Sequence, residues 1–419
     1  MIRPILPLLV AAAILLGGNG VLGTLVALRG RLEGFDTDLI GLMGACYFIG
    51  FFIASFNSAR LIRSIGHVRA FAALAAIGAT IPLVMAMVPN AWVWMLVRVM
   101  SGFCFSALLT VVESWINEMS KNTDRGRVLG IYRVVDLVSV TCTQFLIPTV
   151  GEAGFEIFSL VSLMYCLSLV PVAISNRSRP KIPENLKLSL SSVWTISPLA
   201  CLTTLAIGLT NSAFRLVGPL YGVEIGLTTS SVVIFMTMGI IGGAILQYPL
   251  GHMSDKLGRR KTVLISTAGA MLAALYLSGL QTDGEISVFI GAFMFGAFAM
   301  PLHSLAAAHA NDRAKSGQYV MVSAGLTFFF SLGAIIGPYT ASLVIQHFGP
   351  SAFFVYTCAV HGTLALIVMI RIKSRASVPA DQRSRFVGLL RTSPVFFRMA
   401  RRLSRRTKSK EPPSENKSN

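Results

Sequence analysis

Apolar residues fill long runs of this chain, and polar residues gather in the short stretches between them. Runs of about 20 residues, the length a helix needs to cross a hydrocarbon core of roughly 30 Å, lie near 4–28, 38–59, 70–88, 91–116, 127–149, 155–175, 198–221, 228–250, 262–279, 286–309, 319–345 and 351–371. A helix satisfies its backbone hydrogen bonds within its own segment, so the pattern predicts an all-α membrane protein with twelve transmembrane helices. A frame of 192 residues then aligns the chain with itself. Asn19 falls on Asn211, Leu28 on Leu220, Gly30 on Gly222, Gly50 on Gly242, Gly66 on Gly258 and Arg69 on Lys261. The frame predicts two six-helix repeats: an N-terminal half over 1–175 and a C-terminal half over 198–371. A linker over 176–197, with Pro180, Pro183 and mixed charge, separates them, and a basic tail follows over 372–419. Paired helical halves of this kind can rock against each other around a shared site.

Composition supports lipid as the solvent. With 54% of residues hydrophobic and 13% charged, a water-soluble globule would lack the polar surface to cover itself. Arg3 precedes the first apolar run, but that run is too long for a signal peptide and belongs to the repeat. The six cysteines fall inside predicted spans without CxxC spacing, which points to small packing residues; no metal site and no cofactor are implied.

The charge has an address. Alternate loops carry most of the Lys and Arg, from Arg60, Arg63 and Arg69 to Arg313 and Lys315, whereas the opposite loops carry only Arg29 and Arg31. Cationic loops stay in the cytoplasm, so both termini are expected inside, in the cell (inner) membrane. Residues 371–419 hold 14 Lys or Arg against Asp381, Glu411 and Glu415, a net of +11 out of +18 for the chain. Nucleic-acid binding is therefore a poor reading of the charge. The stretch Arg385-Phe-Val-Gly-Leu-Leu-Arg391, with Phe396, Phe397, Arg398, Arg401 and Arg402, mixes apolar residues with cations as a segment lying on anionic lipids would. A disordered tail that follows the charge bias is the alternative, and 403–419 has the composition of disorder.

Gly251-His-Met-Ser-Asp255-Lys256-Leu-Gly258-Arg259-Arg260-Lys261 resembles the cytoplasmic signature of the major facilitator superfamily, G-x-x-x-D-[RK]-x-G-[RK]-[RK]. The resemblance implies a major facilitator fold. It also implies a conformational latch in Gly251, Asp255, Lys256, Gly258, Arg259 and Arg260, whose carboxylate faces the positive end of a neighbouring helix when the transporter is open outward. The first-half counterpart, Asn57 to Arg69, departs from the pattern because Arg63 occupies the place of the Asp. Arg98-Val-Met-Ser-Gly102 resembles the superfamily's R-x-x-x-G motif. Glu113-Ser-Trp115-Ile-Asn117, Arg125-Gly126-Arg127 and Ala308-His309-Ala-Asn311-Asp312 together look like the YcaD-like bacterial subgroup.

Candidate site residues follow from polarity at depth. Asn19 and Asn211 sit mid-span at related positions, Arg215 lies one turn beyond Asn211, and Gln247 and His303 fall on later spans; with Arg98 they form the expected substrate pathway, lined by spans one, four, seven and ten. All but Arg215 have a packing alternative: amide glue between helices for the Asn residues and Gln247, a hydrogen-bonded core for His303, snorkelling to the membrane edge for Arg98. Asp136, His303 and Glu113 are the proton-coupling candidates. Asp136 is three residues from Arg133 and could pair with it, and Glu113 could pair with Arg125 or Arg127. No phosphate-binding loop occurs. The expected function is a monomeric secondary active transporter, not an enzyme, moving a small organic solute by alternating access with proton coupling and export favoured. Uptake, or sensing without transport, is the alternative.

Overall fold

A computed structural model describes residues 5–119, 125–174, 189–280, 284–315 and 318–374, with Arg383 and Phe386 of the tail. Fifteen helices occupy the described residues. Those of the first half of the chain are α1 (Leu6–Leu32), α2 (Thr37–Ile65), α3 (His67–Met87), α4 (Ala91–Met119), α5 (Arg125–Gln144), α6 (Leu146–Val150) and α7 (Glu156–Ile174). A short helix, α8 (Leu190–Ile196), precedes α9 (Pro198–Glu224), α10 (Thr229–Leu257), α11 (Arg259–Gly279), α12 (Glu285–Ala299), α13 (Leu302–Arg313), α14 (Tyr319–Phe348) and α15 (Ala352–Ser374). Twelve spans among them are long and apolar enough to cross a membrane. The fifth joins α6 to the end of α5, and the tenth joins α12 to α13. Both spans therefore differ from the unbroken helices expected. The second break sits at Met300 and Pro301, where proline has no N–H to give the Ala297 carbonyl.

The duplication is visible in the backbone. α1 and α9, α2 and α10, and α3 and α11 each begin and end 192 residues apart. The turns after α1 and α9 close alike: Gly34 N–H donates to Arg31 O and Phe35 N–H to Gly30 O, as Gly226 N–H does to Val223 O and Leu227 N–H to Gly222 O. Packing repeats too. α1 lies against α5 and α7, α2 against α4, and α3 against α4 and α7; correspondingly α9 lies against α14 and α15, α10 against α12, and α11 against α12 and α15. Across the two sets, α2 meets α14, α1 meets α9, and α5 and α6 meet α10. Gly41 and Gly44 bring α2 onto Pro338 and Ser342 of α14, an approach that leaves no room for a Cβ at either position.

Large side chains divide by solvent. Trp92, Leu96 and Met100, four residues apart on α4, are exposed along an outer stripe, while Trp94, Trp115, Tyr165, Phe214 and Phe295 are buried between helices. That distribution fits lipid outside and protein inside. Cys104 and Cys201 pack inside as expected, but Cys142 and Cys166 lie on the exposed surface.

Candidate functional site

Asn19 and Asn211 are the middle residues of α1 and α9. Asn19 is buried and accepts a hydrogen bond of 3.2 Å from the Tyr47 hydroxyl of α2. The Arg98 guanidinium of α4 lies over the same Tyr47 ring, 4.5 Å from its centroid. Arg98 is 1% exposed, so it does not reach the membrane edge. Its Nε has no hydrogen-bond partner in the structure. The Asn211 Oδ1 is likewise buried without a hydrogen bond. Arg215, one turn further, is exposed, although α9 is ringed by α1, α2, α10, α13, α14 and α15. Solvent that meets Arg215 therefore enters from inside the bundle.

A second polar chain crosses between the halves. Arg133 of α5 donates to Oε1 of Gln247 on α10, and Gln247 Nε2 donates to the Ser304 hydroxyl of α13 at 2.8 Å. The neighbouring His303 is buried, with neither ring nitrogen hydrogen-bonded. Its ring packs edge-on to Phe330 of α14 at 5.8 Å, and Phe330 packs on Phe48 of α2 at 6.2 Å. Arg133 thus turns to α10 rather than to Asp136, contrary to the pairing that their spacing allowed. Asp136 belongs to the buried stripe Tyr132, Asp136, Val140 and Gln144. That stripe faces α1, where Gln144 Nε2 donates to Gly20 O at 3.1 Å.

The two ends of the bundle differ. On the face opposite the linker, Arg31 of α1 is ion-paired with Glu224 of α9 at 3.1 Å, and Thr229 at the start of α10 donates to Glu152, in the turn after α6, at 2.6 Å. Both contacts join the two halves. On the linker face, Arg259 is buried and holds Asp255 at 2.6 Å and Asp312 at 2.8 Å. Arg260 donates to the Arg371 carbonyl at 3.0 Å. The Asp255 carboxylate also accepts from the Phe386 N–H, at 3.1 and 3.0 Å. The Phe386 ring fills the space beside Gly251, and Arg383 lies against Gly258. Glu113, near the linker end of α4, is buried beside Ser114, whose hydroxyl meets His67 Nε2 at 3.0 Å. The side chains of Arg125 and Arg127 lie outside the described ones.

The candidates therefore separate into an Asn19–Tyr47–Arg98 group, an Asn211–Arg215 face and a Gln247–His303 group. Lys256 and the other signature residues lie at the linker face. The sequence reading names spans one, four, seven and ten as the lining, whereas the chain between halves runs through the fifth, eighth and tenth. Ser304, Phe330, Glu224 and Phe386 carry no motif. Glu224 had a signal, as an acid ending α9 opposite Arg31 near the end of α1, and Phe386 lay in the basic, aromatic stretch expected on a lipid surface.

Residues 8–245 and 200–405 match the family model of the Major Facilitator Superfamily. An uncharacterized MFS-type transporter, YcaD, of Escherichia fergusonii is 22% identical over 379 residues, covering 90% of this chain and 98% of its own. An uncharacterized MFS-type transporter of Yersinia pestis is 23% identical over 385 residues, with coverage of 90% and 98%. Among solved structures, the nucleoside transporter NupG superposes with a TM-score of 0.73 at 14% identity, over 88% of this chain and 99% of that one. A D-xylose-proton symporter superposes with a TM-score of 0.67 at 13% identity, over 86% and 95%.

Proposed function

The chain belongs to the major facilitator superfamily, and from that premise we propose that it carries a small organic solute across the membrane by alternating access. Residues 1–175 and 198–371 are the two rocking halves, and the mid-depth polar groups are the site that each face reaches in turn. The observation that carries this reading is the contrast between the ends of the bundle. Arg31–Glu224 and Thr229–Glu152 tie the halves together on the face opposite the linker, while the ion pairs of Arg259 on the linker face lie within one half. A molecule held shut at one end with solvent reaching Arg215 from inside is one of the two states a rocking transporter needs. Protons are the coupling ion in this reading, and His303 is the group that takes one up: it is buried, its nitrogens have no hydrogen bond, and it lies beside the chain that joins the halves.

Thiol labelling tests alternating access without a known substrate. With the native cysteines replaced by serine, Asn211→Cys in proteoliposomes is expected to react with an impermeant maleimide applied from either side. A disulfide between Arg31→Cys and Glu224→Cys should abolish labelling from the face opposite the linker and spare the other. Reaction from one side only, with or without the disulfide, would overturn the reading.

A further inference from the structure

Among the described helices, four Arg, Lys, Asp or Glu residues lie seven or more residues from both ends: Arg98 in α4, Arg133 and Asp136 in α5, and Arg215 in α9. Three guanidinium groups against one carboxylate leave a net charge of +2 at this depth, however the four are paired. Arg215 meets solvent, but positive charge on the buried Arg98 and the half-buried Arg133 costs several kcal/mol unless something neutralises it. Resting on the transport reading above, we propose that the solute is a small organic anion bearing a carboxylate, and that Arg133 is its anchor.

Arg133 is the guanidinium best placed for the task. In this structure its partner across the halves is the neutral amide of Gln247. A carboxylate arriving at that point offers the fork two charged acceptors in one plane, about twice the strength of the bond to an amide oxygen. Gln247 then keeps its bond to Ser304. His303, nine-tenths buried and with both nitrogens unsatisfied, can give one hydrogen bond and accept another, the pattern needed for a carboxylate next to a hydroxyl. A buried imidazole left without partners is costly, which is the mark of a group that meets its partner in another state of the protein. The break before Leu302 brings the start of α13, the positive end of a helix of 12 residues, to the same depth. Phe330 and Phe48 supply an apolar wall for the rest of the solute.

The test is thermal unfolding of the purified full-length protein with acids and their matched amides at equal ionic strength: benzoate with benzamide, nicotinate with nicotinamide, succinate with succinamide, lactate with lactamide. A ligand bound to the native state raises Tm by mass action. At about 10 mM, a shift of a few degrees is expected for at least one acid and none for its amide. Arg133→Lys should retain part of the shift and Arg133→Gln none. Gln247→Glu provides an arm that needs no ligand. By placing a carboxylate on Arg133 it should raise Tm of the empty protein and remove the response to acids. A panel in which no acid stabilises, an amide or a phosphate ester that stabilises more than the matching acid, an acid shift that survives Arg133→Gln, or a Gln247→Glu protein of lowered Tm would each overturn the proposal. Two-sided labelling at Asn211→Cys separates this from the transport reading: if labelling succeeds and the acids fail, only the solute class is wrong.

Discussion

Gly66 and Gly258 occupy equivalent turns, one between α2 and α3 and the other between α10 and α11, and their backbones agree: φ 84°, ψ 165° in the first and φ 99°, ψ 147° in the second. The side chains around them do not. Where the second turn has Asp255 and the buried Arg259, the first has, 192 residues earlier, the exposed Arg63 and the buried His67. Arg259 reaches α13 through an ion pair with Asp312, and His67 reaches α4 through a neutral hydrogen bond to Ser114. Both halves thus fasten the third helix to the fourth span at the linker face, one with charge and one without. Duplication has kept the backbone and the fastening while the chemistry of the fastener has diverged. Only the second turn offers a carboxylate to a moving partner.

The largest expected effect comes from removing the charged fastener. The Arg259 and Asp312 side chains are 4% and 1% exposed, so Arg259→Ala takes the paired cation from a buried carboxylate and should cost about 3–5 kcal/mol. His67→Ala loses one neutral hydrogen bond and should cost about 1 kcal/mol from that source. Unfolding followed by α-helical circular dichroism in detergent compares them. Equal losses in the two variants would mean that the halves are fastened by packing alone.

The glycines come next. φ above +80° with extended ψ is a region that other residues enter at a cost of about 1–3 kcal/mol. Gly66→Ala meets nothing within 4 Å, whereas at Gly258 a Cβ lies 3.3 Å from the Arg383 guanidinium. Both variants should lose Tm, and Gly258→Ala should also release Arg383. Trypsin reads that release as faster cutting after Arg383 in Gly258→Ala than in Gly66→Ala.

How much of this was legible beforehand depends on whether the information is local or tertiary. Helix number and the 192-residue frame follow from apolar run length and recurring turn glycines, and the first three helices of each half match at both ends. The later spans slip: α4 begins at Ala91 but α12 at Glu285, an offset of 194. The chemistry at depth was less legible. For Arg133, sequence spacing offers Asp136 three residues away, but an α-helix presents several faces, and the structure gives one to α1 and another to Gln247, 114 residues distant. Nothing local distinguishes those two partners. Phe386 is similar. Its basic, aromatic surroundings suit a lipid surface, yet the described part of the tail docks on Asp255, because a residue without a side chain at 251 leaves room for a ring.

That docking sharpens the comparison further, with a smaller effect on stability. Asp255 is 30% exposed, and a pair so open to solvent contributes up to about 1 kcal/mol. Arg259 keeps Asp312 when Asp255 is lost. Asp255→Ala should therefore change Tm little while freeing the Phe386 N–H, so protease cutting at Arg383 should accelerate well beyond the loss of stability. Cutting that tracks Tm alone would mean that the tail is held by the Phe386 ring and not by the carboxylate.

The smallest effect should come from building the missing carboxylate into the first turn. Arg63 is exposed, so Arg63→Asp ought to leave the unfolding free energy within about 0.5 kcal/mol of the parent, as surface changes usually do. Its effect belongs to the equilibrium between conformations. If the asymmetry of the two turns biases the molecule, a second carboxylate at the linker face should shift the balance of Asn211→Cys labelling towards the face opposite the linker. Labelling rates that stay at parental values from both sides would place the conformational control in the second half alone, with Asp255 as its acidic group.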